Sequence, residues 1–256
     1  HARAARWLQG RGRETELASQ IAEHFEHAGD TPQAISYWLR AAEDAAQREA
    51  DVVALRHADR ALALDDGSDP RRRLRLHRVR ADVHRRKGHA DAHVREIETM
   101  ESLLDGIDDD DLRLSVAFDR VWRLSLQARH AELVDLALQR LTSAPGGAPR
   151  DAARLHGLVF VGLRRLGRQA DAMAHAQQGL ALARAAGDLV TVGQIHTNVG
   201  ALEMEVDHVG IGLAHHQQAM AAYQAAGSRT GMVIARINLA HVQATLLAER
   251  DQLLDD

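Results

Sequence analysis

Thr197-Asn198-Val199-Gly200-Ala201 and Ile237-Asn238-Leu239-Ala240-His241 decide the fold, because they are versions of one segment 40 residues apart. Ala185-Ala186-Gly187-Asp188 and Ala225-Ala226-Gly227-Ser228 precede them at the same offset. Between the two copies stands a second helical pattern. An earlier version of it opens at Leu166-Gly167-Arg168-Gln169-Ala170-Asp171-Ala172 and continues to Gly179-Leu180. Self-similarity at such a period marks an array of helix pairs rather than a compact globule.

Working outward, the chain is helical throughout. Ala, Leu, Arg, Glu and Gln dominate, and no Val/Ile/Thr-rich alternating run reads as a strand. Pro32, Pro70 and Pro149 sit where first turns of helices are expected, since a missing N–H costs nothing there. Gly29, Gly88, Gly167, Gly187 and Gly227 each follow an apolar-periodic stretch, as residues that end helices in the left-handed conformation should. The spacing predicts helices over 13–28, 32–48, 51–65, 70–87, 89–105, 109–128, 130–143, 148–166, 169–186, 189–206, 209–226 and 229–248. A following helix is expected to begin near Asp251.

Composition excludes several chemistries. The 256 residues contain no Cys, so thiol nucleophiles, disulfides and Cys-ligated metals are out. Lys87 is the only lysine, against 31 arginines, and its context Arg86-Lys87-Gly88 is not a P-loop. Gly10-Arg11-Gly12 lacks the third glycine and the preceding strand of a dinucleotide loop. No serine lies in a nucleophile elbow, and no catalytic residue is assigned. Net charge is −4, and the longest apolar stretch, 157–163, is far too short to span a bilayer. A soluble cytoplasmic protein without a cofactor is expected. The first residue, His1, suggests an excerpt of something longer.

The repeat resembles the tetratricopeptide (TPR) family, whose helix pairs place small residues at close crossings. The expected architecture is an all-α solenoid of about twelve antiparallel helices in a right-handed superhelix. Residues 1–12 would end a preceding linker helix, and 13–256 would hold about six pairs with a period near 40. The family register puts the crossing of each first helix at Ala42, Ala81, Val121, Phe160, Gly200 and Ala240. Those of the second helices fall at Ala54, His93, Leu133, Ala172 and Gly212, then at Ala61, Met100, Arg140, Gly179 and Ala219. His93, Leu133 and Arg140 depart from the small-residue pattern, so the match weakens over roughly 75–143. Residues 17–42, from Leu17-Ala18-Ser19-Gln20 to Arg40-Ala41-Ala42, resemble the opening of the repeat arm in bacterial signal-transduction ATPases with numerous domains. That group includes large ATP-binding regulators of the LuxR type and ATPase-linked nucleotide cyclases. The segment 1–8 resembles the helix preceding that arm.

By this resemblance the first helix of each pair lines a groove. Arg75, Arg78 and Arg85 with Asp82 would come from one such helix, and Phe118, Trp122 and Ser125 from the next. Arg154, Val161 and Arg164 would follow, then Gln194 and Asn198, then Asn238 and His241. Arginines near an indole suit an acidic or phosphate-bearing protein or peptide partner, because the guanidinium offers a planar fork. Asn198 and Asn238 match an asparagine with which peptide-binding members hold a ligand backbone, but the family's clamp lysines are absent. The run Arg71–Lys87 carries nine basic residues and one acid. It has neither a recognition motif nor interleaved aromatics, so nucleic acid is not the expected partner. Asp105 and Asp108–Asp111 are candidates to neutralise it. The histidines at 24/27 and 84/89/93 lack a metal-ligand motif, and the adjacent His215-His216 cannot share an ion.

Two functions of different kind stay open. One is a non-enzymatic sensing arm of a larger cytoplasmic regulator, with an ATPase module upstream in the same polypeptide. The other is a self-contained peptide-binding scaffold or peptide-pheromone receptor. A helical hydrolase or metal enzyme without a known motif is a third and weaker reading.

Overall fold

The computed structural model describes residues 1–10, 14, 16–145 and 147–255, with side chains described through Leu247. The described residues form helices only: α1 Ala2–Gln9, α2 Ala18–His27, α3 Thr31–Gln47, α4 Asp51–Leu64, α5 Pro70–Lys87, α6 Ala90–Leu104, α7 Asp110–Leu126, α8 His130–Ser143, α9 Pro149–Arg165, α10 Gln169–Ala185, α11 Leu189–Glu205, α12 Val209–Ala226 and α13 Arg229–Asp255. The all-helical repeat architecture expected from the period is present. The boundary expected at residues 12 and 13, and the Gly10-Arg11-Gly12 segment beyond Gly10, lie outside the described residues.

Local chemistry explains the ends. Asp30, Asp69, Asp109 and Asp188 are N-caps, each accepting the amide N–H three residues on, at 3.4, 3.0, 3.1 and 3.1 Å. Each satisfies one of the four amides that a helix start leaves without a partner. Pro70 and Pro149 open α5 and α9 as expected. The five predicted terminating glycines all have positive φ, between 66° and 76°. Glu49, Ala128 and Asp207 take the same left-handed turn without glycine, at φ 56°, 55° and 60°, where a Cβ is strained. Two boundaries differ from expectation. α2 starts at Ala18, preceded by Leu17, whose backbone carbonyl accepts from Ile21 at 2.9 Å; residues 13 and 15 of the expected start lie outside the described residues, and Glu14 reaches to α3, accepting from Arg40 at 2.8 Å. α13 runs on to Asp255, so no new helix starts near Asp251. Nothing between 248 and 255 is a Gly or Pro that would stop it.

The chain divides into two compact units, 1–108 and 109–256. In the first, α1 packs on α2 and α3 follows; Ala5, Ile21, Phe25, Trp38, Leu39, Leu76 and Val83 share one core. In the second, α7, α9, α11 and α13 lie side by side as leading helices, and α8, α10 and α12 each pack behind the helix that precedes them. Leu114, Phe118, Val121, Leu133, Leu155, Phe160, Leu163 and Ile195 form its main core. The crossing positions are buried almost throughout. Ala42, Ala81, Ala54, Ala61, Ala172 and Ala219 are fully enclosed, and so are the larger Val121, Phe160, Met100 and Leu133. Arg140 and Ala240 are exposed. The register therefore holds even where the small-residue pattern fails.

Candidate groove surfaces

The predicted groove residues fall in both units: Arg75, Arg78 and Arg85 in the first, and Trp122, Arg154, Arg164, Asn198 and Asn238 in the second. In unit 1 the basic helix α5 is laced to carboxylates on its neighbours. Arg75 donates through Nε and Nη2 to Glu43 at 3.0 and 2.8 Å, and Arg85 donates to Asp82 at 2.9 Å. Arg78 is half-buried. Arg72 holds the fully buried Asp65 carboxylate at 2.7 Å. Arg80 bridges Asp59 at 2.7 Å and Glu96 at 2.9 Å, and Arg86 binds Asp51 at 2.5 Å. The neutralising carboxylates come chiefly from α3, α4, the α4–α5 turn and α6. Of the acidic run at 105–111, Asp108 offers Arg71 its backbone carbonyl at 3.2 Å. Charge that looked available in sequence is largely balanced in space.

In unit 2 the arginines are paired too. The Arg154 guanidinium lies over the Phe118 ring, 3.6 Å from its centroid, and donates to the buried Asp151 at 3.0 Å. Ring and carboxylate together fix a cation that is itself mostly enclosed. Arg164 makes two hydrogen bonds to Glu205, and these hold that carboxyl below its ordinary value. Trp122 is half-buried and packs against the main core.

The two asparagines differ from the arginines. Asn198 on α11 and Asn238 on α13 are half-buried on neighbouring leading helices. Neither side-chain amide meets a hydrogen-bond partner among the described residues. Leu158 of α9 stands 40 residues before Asn198 in the repeat, Val161 lies one turn on from it, Gln194 and Ala201 lie one turn either side of Asn198 on α11, and Ile234 and His241 one turn either side of Asn238 on α13. A carboxamide carries both donor and acceptor, so two of them in open register can receive an extended peptide backbone.

Other sequence-flagged groups are placed apart. His1 stacks on His27 at 4.9 Å between centroids and meets His24, and His84 meets His89. Among the described residues no three His, Asp or Glu side chains converge as a metal site requires, and no helix is long and apolar enough to cross a membrane. His215 faces α11, whereas His216 is buried against Gly200. Sequence reasoning missed Asp151, and it missed the seat of Tyr223. This ring is held between Gly193 of α11 and Gly231 of α13, where an added Cβ would stand 2.6 and 2.2 Å from it. Two in-helix glycines flanking the tyrosine's helix were the available signal.

No family model matches the chain, and no curated protein does. Among solved structures, a Rap protein complexed with Competence and Sporulation Factor is similar over 94% of this chain and 69% of its own, with a TM-score of 0.69 and 12% identity. At that identity the likeness is one of fold, a TPR-like helical repeat.

Proposed function

We propose that this chain is a binding module, and that unit 2 receives an extended peptide segment of a partner along α9, α11 and α13. The observation that carries this reading is the pair Asn198 and Asn238. They are equivalent residues on adjacent leading helices, half-buried and without partners among the described residues, and the same repeat position on α9 is the apolar Leu158. Neither amide is a buried polar atom without a partner, so water reaches both, and a ligand backbone would take the place of that water. The Rap protein with the same fold was crystallised with a bound factor, which supports a binding role for this architecture. Because Arg154 and Arg164 are already matched by Asp151 and Glu205, acidity of the ligand contributes less than its backbone. Arg75 and Arg85 would have to exchange internal carboxylates before serving an acidic partner.

The test is selection of binders from a displayed random-peptide library, followed by affinity measurement with Asn198→Ala/Asn238→Ala. Each lost hydrogen bond is worth about 0.5–1.5 kcal/mol net, so the double variant should bind about 10- to 100-fold more weakly. Unchanged affinity would remove the asparagines from the site.

A second reading makes the module the sensing arm of a larger ATPase regulator. It is favoured by α1, which docks into unit 1 with Ala5 fully buried and Gln9 donating to the Tyr37 hydroxyl at 2.8 Å. A helix leading into the arm would then transmit ligand binding, provided the ligand binds two states with different affinity. A reading frame that continues upstream of His1 into a nucleotide-binding module would support it, and one that does not would end it.

A further inference from the structure

One position of the repeat carries a cross-helix contact whose chemistry changes from unit to unit. It joins a residue on a leading helix to one nineteen positions later on the trailing helix. In unit 1 the slot holds Trp38 stacked on His57, then His77 bonded to Glu96 at 2.6 Å. It holds Val116 and Asp135 at the start of unit 2. In the next two repeats it holds histidine twice over: His156 with His175 and His196 with His215, each Nδ1 to Nδ1 at 2.9 Å. Both pairs have ring centroids 5.1 Å apart, His156 and His175 stacked and His196 and His215 tilted.

A contact between two Nδ1 atoms needs one N–H and one lone pair. The α11–α12 pair leaves no latitude. The Arg184 guanidinium can only donate, so His196 Nε2, 3.4 Å away, must accept. His196 therefore carries its proton on Nδ1 and donates to His215. A further proton on either ring breaks a bond: on His196 it would point at Arg184, and on His215 it would point at the His196 Nδ1–H. At the α9–α10 pair one added proton can be held at an outer nitrogen, and a second cannot. His216, buried on the same α11–α12 interface, has an Nδ1 without a partner.

We propose that the α9–α10 and α11–α12 interfaces form an acid-sensitive latch, in which protonation of the paired histidines opens the trailing helices α10 and α12 from the leading helices.

The charged surroundings agree. Burial is the main influence on both inner rings and pushes His156 and His196 down to about 4, with their histidine partners adding to it and Arg184 adding further at His196. Burial also lowers His175, which Asp171 opposes and Arg168 assists, and His215, which Glu203 opposes. His216 is lowered by burial, with His215 and His241 adding to it. A carboxylate opposes the lowering at each trailing ring, Asp171 at His175 and Glu203 at His215, and neither inner ring has one. These groups gain protons on exposure, so the closed state is fully favoured above the ordinary value of 6.5. It loses ground as pH falls from 6.5 towards 4. At pH 5 each inner histidine alone shifts the equilibrium about 30-fold towards the open form. The His77–Glu96 slot pairs an imidazole with a carboxylate instead of a second imidazole, so α6 is the internal control.

The experiment is backbone hydrogen–deuterium exchange of the whole chain at pH 7.5 and 5.5, corrected for intrinsic rates, with no ligand present. Protection should fall in α10 and α12 at least tenfold more than in α6. His156→Gln/His196→Gln, which removes the two strongly lowered inner rings, should flatten that fall. Equal loss in α6, or an unchanged fall in a folded variant, would overturn the latch. If the variant does not fold at pH 7.5, histidine ring NMR of the wild type decides. His156 and His196 staying neutral until α10 and α12 exchange supports the latch, and their charging inside a protected unit overturns it. Helices α9 and α11 also carry Arg154 and Asn198, so opening would discharge a ligand held there. That consequence rests on the proposed function, whereas the exchange measurement does not.

Discussion

Unit 1 and unit 2 are built from the same repeat, yet they hold their helices together by different means. Unit 1 uses charge. The Arg-rich α5 is tied by Glu43, Asp51, Asp59, Asp65 and Glu96, which reach it from its neighbours. Among the described residues unit 2 has fewer such pairs, Arg164–Glu205 among them, and adds closeness. Gly162 meets Leu133 and Val134, Gly179 meets Ile195, Gly200 meets His216, and Gly193 and Gly231 enclose Tyr223. A repeat can afford either solution, because each helix pair needs only to satisfy its neighbours. The lesson is that the register is preserved while the glue is replaced.

That contrast can be broken most forcefully at Glu96. It is buried, and it joins α6 to both His77 and Arg80. Burial raises its carboxyl, but the His77 hydrogen bond and Arg80 outweigh burial and leave it below the ordinary value. Glu96→Ala takes away the carboxylate that His77 meets and leaves Arg80 with Asp59 alone; it should cost unit 1 about 3 kcal/mol, read as faster amide exchange in α5 and α6 with α11 and α12 unchanged. The complementary change in unit 2 is Gly193→Leu. It forces a side chain into the Tyr223 ring and should cost about 2 kcal/mol, lowering protection in α11 and α12 while leaving α5 and α6 alone. A variant that lowers both units equally would show that they unfold as one. The smallest effect sharpens the comparison at a turn. Ala128 closes α7 in the left-handed region, where the equivalent turns at Gly88 and Gly167 have glycine. Ala128→Gly should raise stability by about 0.5–1 kcal/mol, seen as a higher Tm.

Much of the fold was legible because its signals are local. Aspartate caps, prolines in first turns or glycines after last turns mark at least one end of α2, α3, α5, α7, α9, α10, α11 and α12, and the 40-residue offset pairs the helices. The exceptions have physical reasons. Glu49, Ala128 and Asp207 turn the chain without glycine, so those helix ends carried no mark beyond spacing. The site was less legible. Side chains on one helix face can be placed from period alone, but their partners cannot. Arg75 and Arg164 read as available cations, and their carboxylates lie 32 and 41 residues away. His156 and His196 were invisible as a pattern until their trailing partners were seen to share the repeat offset.

The chain has two tyrosines, and each unit holds one. Tyr37 is half-buried in unit 1, reached by Gln9. Tyr223 is enclosed by glycines in unit 2, its hydroxyl 3.4 Å from Thr197, and burial pushes its phenol upward. Phenolate formation at Tyr223 therefore has to wait for α12 to leave its seat. The molecule thus carries a built-in clock: in alkali, the ultraviolet absorbance of that one phenol records when unit 2 comes apart.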